Sequence, residues 1–202
     1  VSNGEYYFQL TRGEALCYHH FPEEITRNFF MVFNHLRAMP DECWSKSVAV
    51  CQYPDIRWGL CKLKSINLLP NVLGKEKAKA KSVYEAIFLR ETVKGKIITE
   101  GPSSSYFGVK DGVIYTPKLD NILAGTTRSV IINLAEENGL TVKETPILFE
   151  DYTMMDEAFL TSTVSEVMPV VKVDDYNIGT GVPGIITMKL QKLYKNFMKD
   201  YM

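Results

Sequence analysis

"KIITEGPSSSYFGVKDGVIYTP", residues 96–117, decides how this chain folds. Asp111-Gly112 stands between two runs of aromatic and β-branched residues. That pair closes a tight hairpin because both turn positions accept left-handed backbone. "KIITEG" ahead of it reads as another strand. Strand follows strand here with no helix between, which points to antiparallel pairing.

Working outward, "VYEAIFLR" (83–90) reads as a strand, and "EYYFQLTRG" (5–13) as one ended by Arg12-Gly13. "SVAVCQYPDIRW" resumes β character at Ser47, with a turn or edge irregularity at Pro54-Asp55. "LTVKETPIL" (140–148) reads as a strand, and "DEAFLTSTVSEVMPVVKVDD" (156–175) as two short strands around a polar break. The state of "FPEEITRNFFMVFNHLRAMPDE" (21–42) stays open, since its apolar residues follow no clean period.

Three helices are expected. One of about 15 residues follows Lys64, with Leu68, Leu69, Val72 and Leu73 on one side and KEKAKAK (75–81) as a solvated face. "GTTRSVIINLAEENG" (125–139) carries Thr126 or Thr127 as its cap and Gly139 as its stop. "VPGIITMKLQKLYKNFMKDYM" closes the sequence as an amphipathic helix. Strands outnumber helices and come as hairpins rather than βαβ units, so the fold class is α+β with a mostly antiparallel sheet.

Composition narrows the function. The 202 residues carry a formal net charge of −1 and are 46% hydrophobic, which fits a globular chain and argues against a nucleic-acid partner. No run of about 18 apolar residues crosses a membrane. The four cysteines, Cys17, Cys43, Cys51 and Cys61, form no CxxC pair, so no metal site is expected, and they read as reduced thiols in a cytoplasmic setting.

Four polar spots interrupt apolar segments. Lys64 is either a snorkelling lysine or, if desolvated, a Schiff-base lysine. Glu100, ending a strand in "TEGPSSS", is either exposed or a buried carboxylate facing a cationic ring nitrogen. "AGTTRS" (124–129) is a plain helix cap or a phosphate cradle at a positive helix end. "TSTVS" (161–165) offers further hydroxyls. Taken together these are the parts needed to hold pyridoxal phosphate. The P-loop and the Gly-rich dinucleotide fingerprint are absent.

Read in order, "DIRWGLCKLKSINLL" (55–69), "YEAI" (84–87), "ITEGPSSSYFGVKDGVIYTP", "ILAGTTRSVI" (122–131) and "DEAFLTSTVSEVMPV" (156–170) resemble the class IV aminotransferases, nearest their D-amino-acid branch. The resemblance implies a fold-type IV large domain at 46–202, a mostly antiparallel β pseudo-barrel with flanking helices. Residues 1–45 would be the tail of a small α+β domain and a linker. It implies pyridoxal 5′-phosphate as cofactor, amino-acid and 2-oxo-acid substrates, and a homodimer without nucleic acid or membrane.

By the same resemblance, Lys64 is the aldimine lysine and the acid/base at Cα. Glu100 partners the pyridine nitrogen, Leu123 lies against the ring, and Thr126, Thr127 and Thr163 bind the phosphate. Ser103 and Ser104 line the pocket, and Arg57 is an arginine that recurs beside it. In "TRGEALCYHHFP" (11–22), His19 keeps the histidine of the family's substrate-carboxylate clamp, but Cys17 stands in the arginine place. A cysteine makes no bidentate charged contact, so Tyr18 or His20 would reshape that pocket.

This departure leaves an aminodeoxychorismate lyase or a branched-chain aminotransferase as alternatives, and a non-catalytic remnant as another. Most of the family's N-terminal small domain is missing from this stretch. The expectation is therefore a C-terminal part of a longer protein, or a chain whose small domain is cleaved or supplied separately, binding cofactor poorly and turning over weakly, if at all, on its own.

Overall fold

Asp111 and Gly112 both adopt positive φ, 50° and 75°, so the hairpin closes as its sequence directs. In the computed structural model, which describes residues 4–35 and 47–199, this hairpin seeds a ten-stranded sheet. β6 (Ser105–Lys110) pairs antiparallel with β7 (Val113–Thr116), Lys110 opposite Val113. On its other side β6 pairs with β10 (Glu157–Ser162), which pairs with β11 (Glu166–Val173). Beyond β11 come β3 (Val48–Pro54), β4 (Glu85–Thr92), β5 (Gly95–Ile98) and β9 (Ile147–Leu148). β8 (Val142–Glu144) lies against β7, and β12 (Tyr176–Asn177) against β11. The pairs β11–β3, β3–β4 and β7–β8 are parallel and the other strand pairs antiparallel.

"LTVKETPIL" is two strands, not the single one expected. Pro146 cannot donate to a ladder, and the chain breaks there. β8 and β9 lie at opposite ends of the strand order although only Thr145 and Pro146 separate them. Two residues joining both edges require a sheet curled almost into a closed barrel. A second difference is that β3 and β4 are parallel and joined through α1 (Leu69–Ala80), a βαβ crossover within the mostly antiparallel sheet.

Alternation sends neighbouring residues into different cores. Tyr106 and Leu160 join Ile87, Ile98 and Met168 inside the curl. Phe107 and Phe159 face the other way, stacked at 4.7 Å, and pack with Ile131 of α2 (Thr126–Glu137) and Leu190 of α3 (Ile185–Lys199). Each such buried side chain stabilises by about 1.5–3 kcal/mol.

The helices differ in detail from expectation. α1 is 12 residues long with Pro70 in its first turn, and its buried positions are Gly74 and Ala78. A Cβ on Gly74 would stand 2.9 Å from the Phe88 ring, so the missing side chain permits that close approach. Leu68, Leu69, Val72 and Leu73 are exposed instead of turned to this core. The cap of α2 is Gly125, and Thr126 and Thr127 are its first helical residues. Gly139, at φ 74°, ends it, with Leu140 N–H donating back to Ala135.

The chain forms two compact units, Val1–Ala38 and Met39–Met202. In the first, β1 (Gly4–Thr11) pairs antiparallel with β2 (Asn28–His35), which gives a strand to the segment whose state the sequence left open. The expected boundary near residue 45, and Cys43, lie outside the described residues.

Candidate active site

The second unit holds a cavity of about 460 Å³. The irregular segment between β3 and α1 supplies Arg57 and Lys64 to its wall. The strand end after β5 supplies Glu100, the following loop Ser103 and Ser104, the approach to α2 Leu123, Thr126 and Thr127, and the β10–β11 turn Thr163. The cavity thus gathers every cofactor residue expected from the sequence.

Among its lining residues, Glu100 is 5% exposed. Arg57 Nη1 donates to its Oε1 at 2.5 Å, and the Leu123 N–H donates to the same oxygen at 3.2 Å. The far side of the guanidinium grips Asp55, Nε to Oδ1 at 2.8 Å and Nη2 to Oδ2 at 3.0 Å. Phe88 lies under it, 4.6 Å from ring centroid to Cζ. Burial raises the Glu100 carboxyl above its ordinary range more than Arg57 and the Leu123 amide lower it. Burial also acts upward on Asp55, but its hydrogen bonds and charge contact with Arg57, with Thr99 and Arg90, hold it below the ordinary range.

Lys64 is exposed at the cavity surface, and its neighbours Leu63 and Ile66 are exposed too. The desolvated setting read from those apolar neighbours is therefore not what distinguishes it. Its segment is held by Asn121, whose Oδ1 accepts the Cys61 N–H at 2.8 Å and whose Nδ2 donates to Trp58 O at 3.0 Å. Arg90 in turn donates to Asn121 O at 3.0 Å and to Asp55 at 3.2 Å, tying both walls together.

At α2 the first intrahelical bond in this turn is Ser129 N–H to Gly125 O at 3.0 Å, so the amides of Thr126 and Thr127 precede it. Thr127 is buried, and its side chain hydrogen-bonds Tyr194. The Thr161 hydroxyl and the Arg128 Nε, on residues lining the same cavity, are buried without a partner among the described residues.

Glu85, Asp55 and Asn121 have structural or electrostatic roles here that sequence reasoning missed. Their signals were faint: a charge opening the apolar run "AIFL", an aspartate after a strand proline, and an Asp-Asn turn. Lys75, which the sequence places on a solvated face, forms an ion pair with Glu85. Cys17, Tyr18 and His19 lie exposed between β1 and β2, in the first unit, and their part in substrate binding stays a proposal.

A family model described as Amino-transferase class IV matches residues 2–173. D-alanine aminotransferase of Staphylococcus epidermidis is 40% identical over 202 residues, covering 100% of this chain and 70% of that protein. The Bacillus licheniformis D-alanine aminotransferase is 37% identical over 195 residues, covering 96% and 67%. Among solved structures, the Escherichia coli branched-chain amino acid aminotransferase matches with a TM-score of 0.80 at 27% identity, over 93% of this chain and 63% of that one. The T.th. branched-chain amino acid aminotransferase with pyridoxamine 5′-phosphate matches with a TM-score of 0.75 at 28% identity, over 84% and 57%. The chain thus spans less than two thirds of the length of these two solved chains.

Proposed function

Because this chain belongs to the class IV aminotransferases, we propose that it binds pyridoxal 5′-phosphate in the cavity and moves an amino group from a D-amino acid to a 2-oxo acid. One observation carries the reading: a lysine, a buried carboxylate clamped by arginine, and a helix start line one cavity. The D preference is supported by the D-alanine aminotransferases, which are more similar in sequence than the branched-chain structures.

The donor set fits the cofactor. The start of α2 presents free amides at a positive helix end, suited to a phosphate. A Cβ on Gly125 would stand 2.9 Å from Ser105 Oγ, so glycine keeps that approach open. The unpartnered Thr161 hydroxyl marks a polar lining that a polar ligand suits better than an apolar one.

When bound, pyridoxal phosphate supplies an electron sink that lets the substrate Cα–H leave as a proton. Lys64 Nζ would hold the cofactor and, once displaced by the substrate amine, would take that proton as a free amine and return it. Glu100, fixed by Arg57 and the Leu123 N–H, would favour a proton on the ring nitrogen by opposing it with negative charge. Thr126, Thr127 and Thr163 would hold the phosphate, and Leu123, Ser103 and Ser104 would line the rest of the cofactor's site. A homodimer belongs to the same reading, supported by the exposed apolar surface of Leu68, Leu69, Val72 and Leu73.

A two-substrate assay tests this. With 2-oxoglutarate as acceptor, the full-length protein should transfer the amino group faster from D-alanine than from L-valine. Faster transfer from L-valine, or pyruvate released from an aminodeoxychorismate substrate, would overturn the substrate assignment.

A further inference from the structure

Behind the cavity wall, the Glu85 carboxylate is 1% exposed. It accepts the Ser103 hydroxyl at 2.8 Å and the Ser104 hydroxyl, and it pairs with the Lys75 ammonium. An ionised carboxylate only accepts hydrogen bonds, so each serine has committed its single proton to Glu85. What each oxygen has left is lone pairs, and both residues line the cavity together with Lys64. Simple strapping of this loop is already provided by Asn71 Nδ2 to Pro102 O at 2.7 Å and by Gly101 N–H to Ser104 O at 2.8 Å. A third tether through two hydroxyls onto a buried charge sets polarity as well as position.

We propose that Glu85, acting through Ser103 and Ser104, makes this part of the wall an acceptor site for an amine or ammonium group. The inference rests on the proposed function, which brings two such groups to the cavity: the Lys64 amine when it does not hold cofactor, and the α-amino group of the substrate. Glu85 touches neither and is a positioning residue. The other ionisable groups on the wall are Arg57, Glu100, Arg128 and Cys61. Of these, Arg57 is paired with Glu100 and Asp55, and Arg128 with Glu144.

The test compares wild-type full-length protein with Glu85→Gln and with the double variant Ser103→Ala/Ser104→Ala. Pyridoxal 5′-phosphate is the probe, its uptake is followed by absorbance across pH, and steady-state kinetics follow with D-alanine. A glutamine donates as well as accepts, so it turns one serine proton back toward the cavity.

If the acceptors serve Lys64, they stabilise its ammonium. Glu85→Gln then moves the pH midpoint of uptake down by about one unit. If they serve the substrate, the midpoint holds and KM rises about tenfold with kcat nearly kept. The double serine variant, which leaves the buried charge in place, should reproduce the same change and carries the test if Glu85→Gln does not fold. Uptake by all three proteins with unchanged midpoint and KM, or a loss of melting temperature alone, overturns the inference. No uptake by the wild type overturns the functional reading, and the inference with it.

Discussion

Arg57 Nη1 lies 2.5 Å from Glu100 Oε1, and both side chains are only 6% exposed. The guanidinium cannot swing, because Asp55 holds its opposite edge with two hydrogen bonds. Glu100 is thus placed by a fixed cation, with the Leu123 N–H as a second anchor. Glu100→Gln keeps the shape and leaves Arg57 its bonds to Asp55. The expected outcome is a soluble, folded protein by circular dichroism whose amino transfer is slower by about 100-fold, the scale of a lost charge contact to the reacting system. Unchanged turnover would remove Glu100 from the chemistry.

Cofactor affinity should depend on pH through the same carboxylate. Burial raises the Glu100 carboxyl despite Arg57, so its protonated form persists above the ordinary value of about 4.3. Only the ionised form opposes a protonated ring nitrogen. Affinity for pyridoxal 5′-phosphate should therefore weaken as pH falls through the raised value, and Glu100→Gln should lose that limb.

Asp55 runs the other way. Burial alone would raise its carboxyl, but Arg57, Thr99 and Arg90 hold it low. Its stabilising contribution is thus present above about 3.9 and lost as pH falls through the lower folded value. In a pH titration, cofactor loss should precede the loss of this stabilisation.

Asn121 has φ 52° and holds the Lys64 segment through both ends of its amide. Asn121→Ala removes two hydrogen bonds at a left-handed position and should cost about 2–3 kcal/mol in urea unfolding. Asn121→Gly should recover about 1 kcal/mol of that by relieving the backbone. Equal losses in the two variants would contradict the backbone part.

A Cβ on Gly101 would collide with the Ser104 hydroxyl and stand 2.8 Å from Glu85 Oε2. Gly101→Ala should lower unfolding stability by about 1–3 kcal/mol, measured by denaturant titration. A neutral result would show that the Glu85 cluster yields freely.

What the sequence made legible was local. Asp111-Gly112 carries its turn in its own backbone preferences, and Gly139 does the same for the end of α2. Lys64, Glu100 and Thr126 are each ambiguous by position, and only the order of their motifs points to one site; the fold brings all three to one cavity. What escaped depended on distant pairing. Nothing near Pro146 reveals that β8 and β9 close opposite edges of one sheet. Nothing in KEKAKAK shows Lys75 reaching Glu85, and a helical wheel does not tell that Gly74 and Ala78, rather than the leucines, meet the sheet. Those facts arise from how the elements pack and pair, which local preferences do not carry.

The central claim is that Lys64 holds the cofactor. Borohydride reduction of the full-length protein loaded with pyridoxal 5′-phosphate, followed by peptide mapping, tests it most directly. One phosphopyridoxyl group, on Lys64, is the expected result. A modified lysine elsewhere, or none, would contradict it.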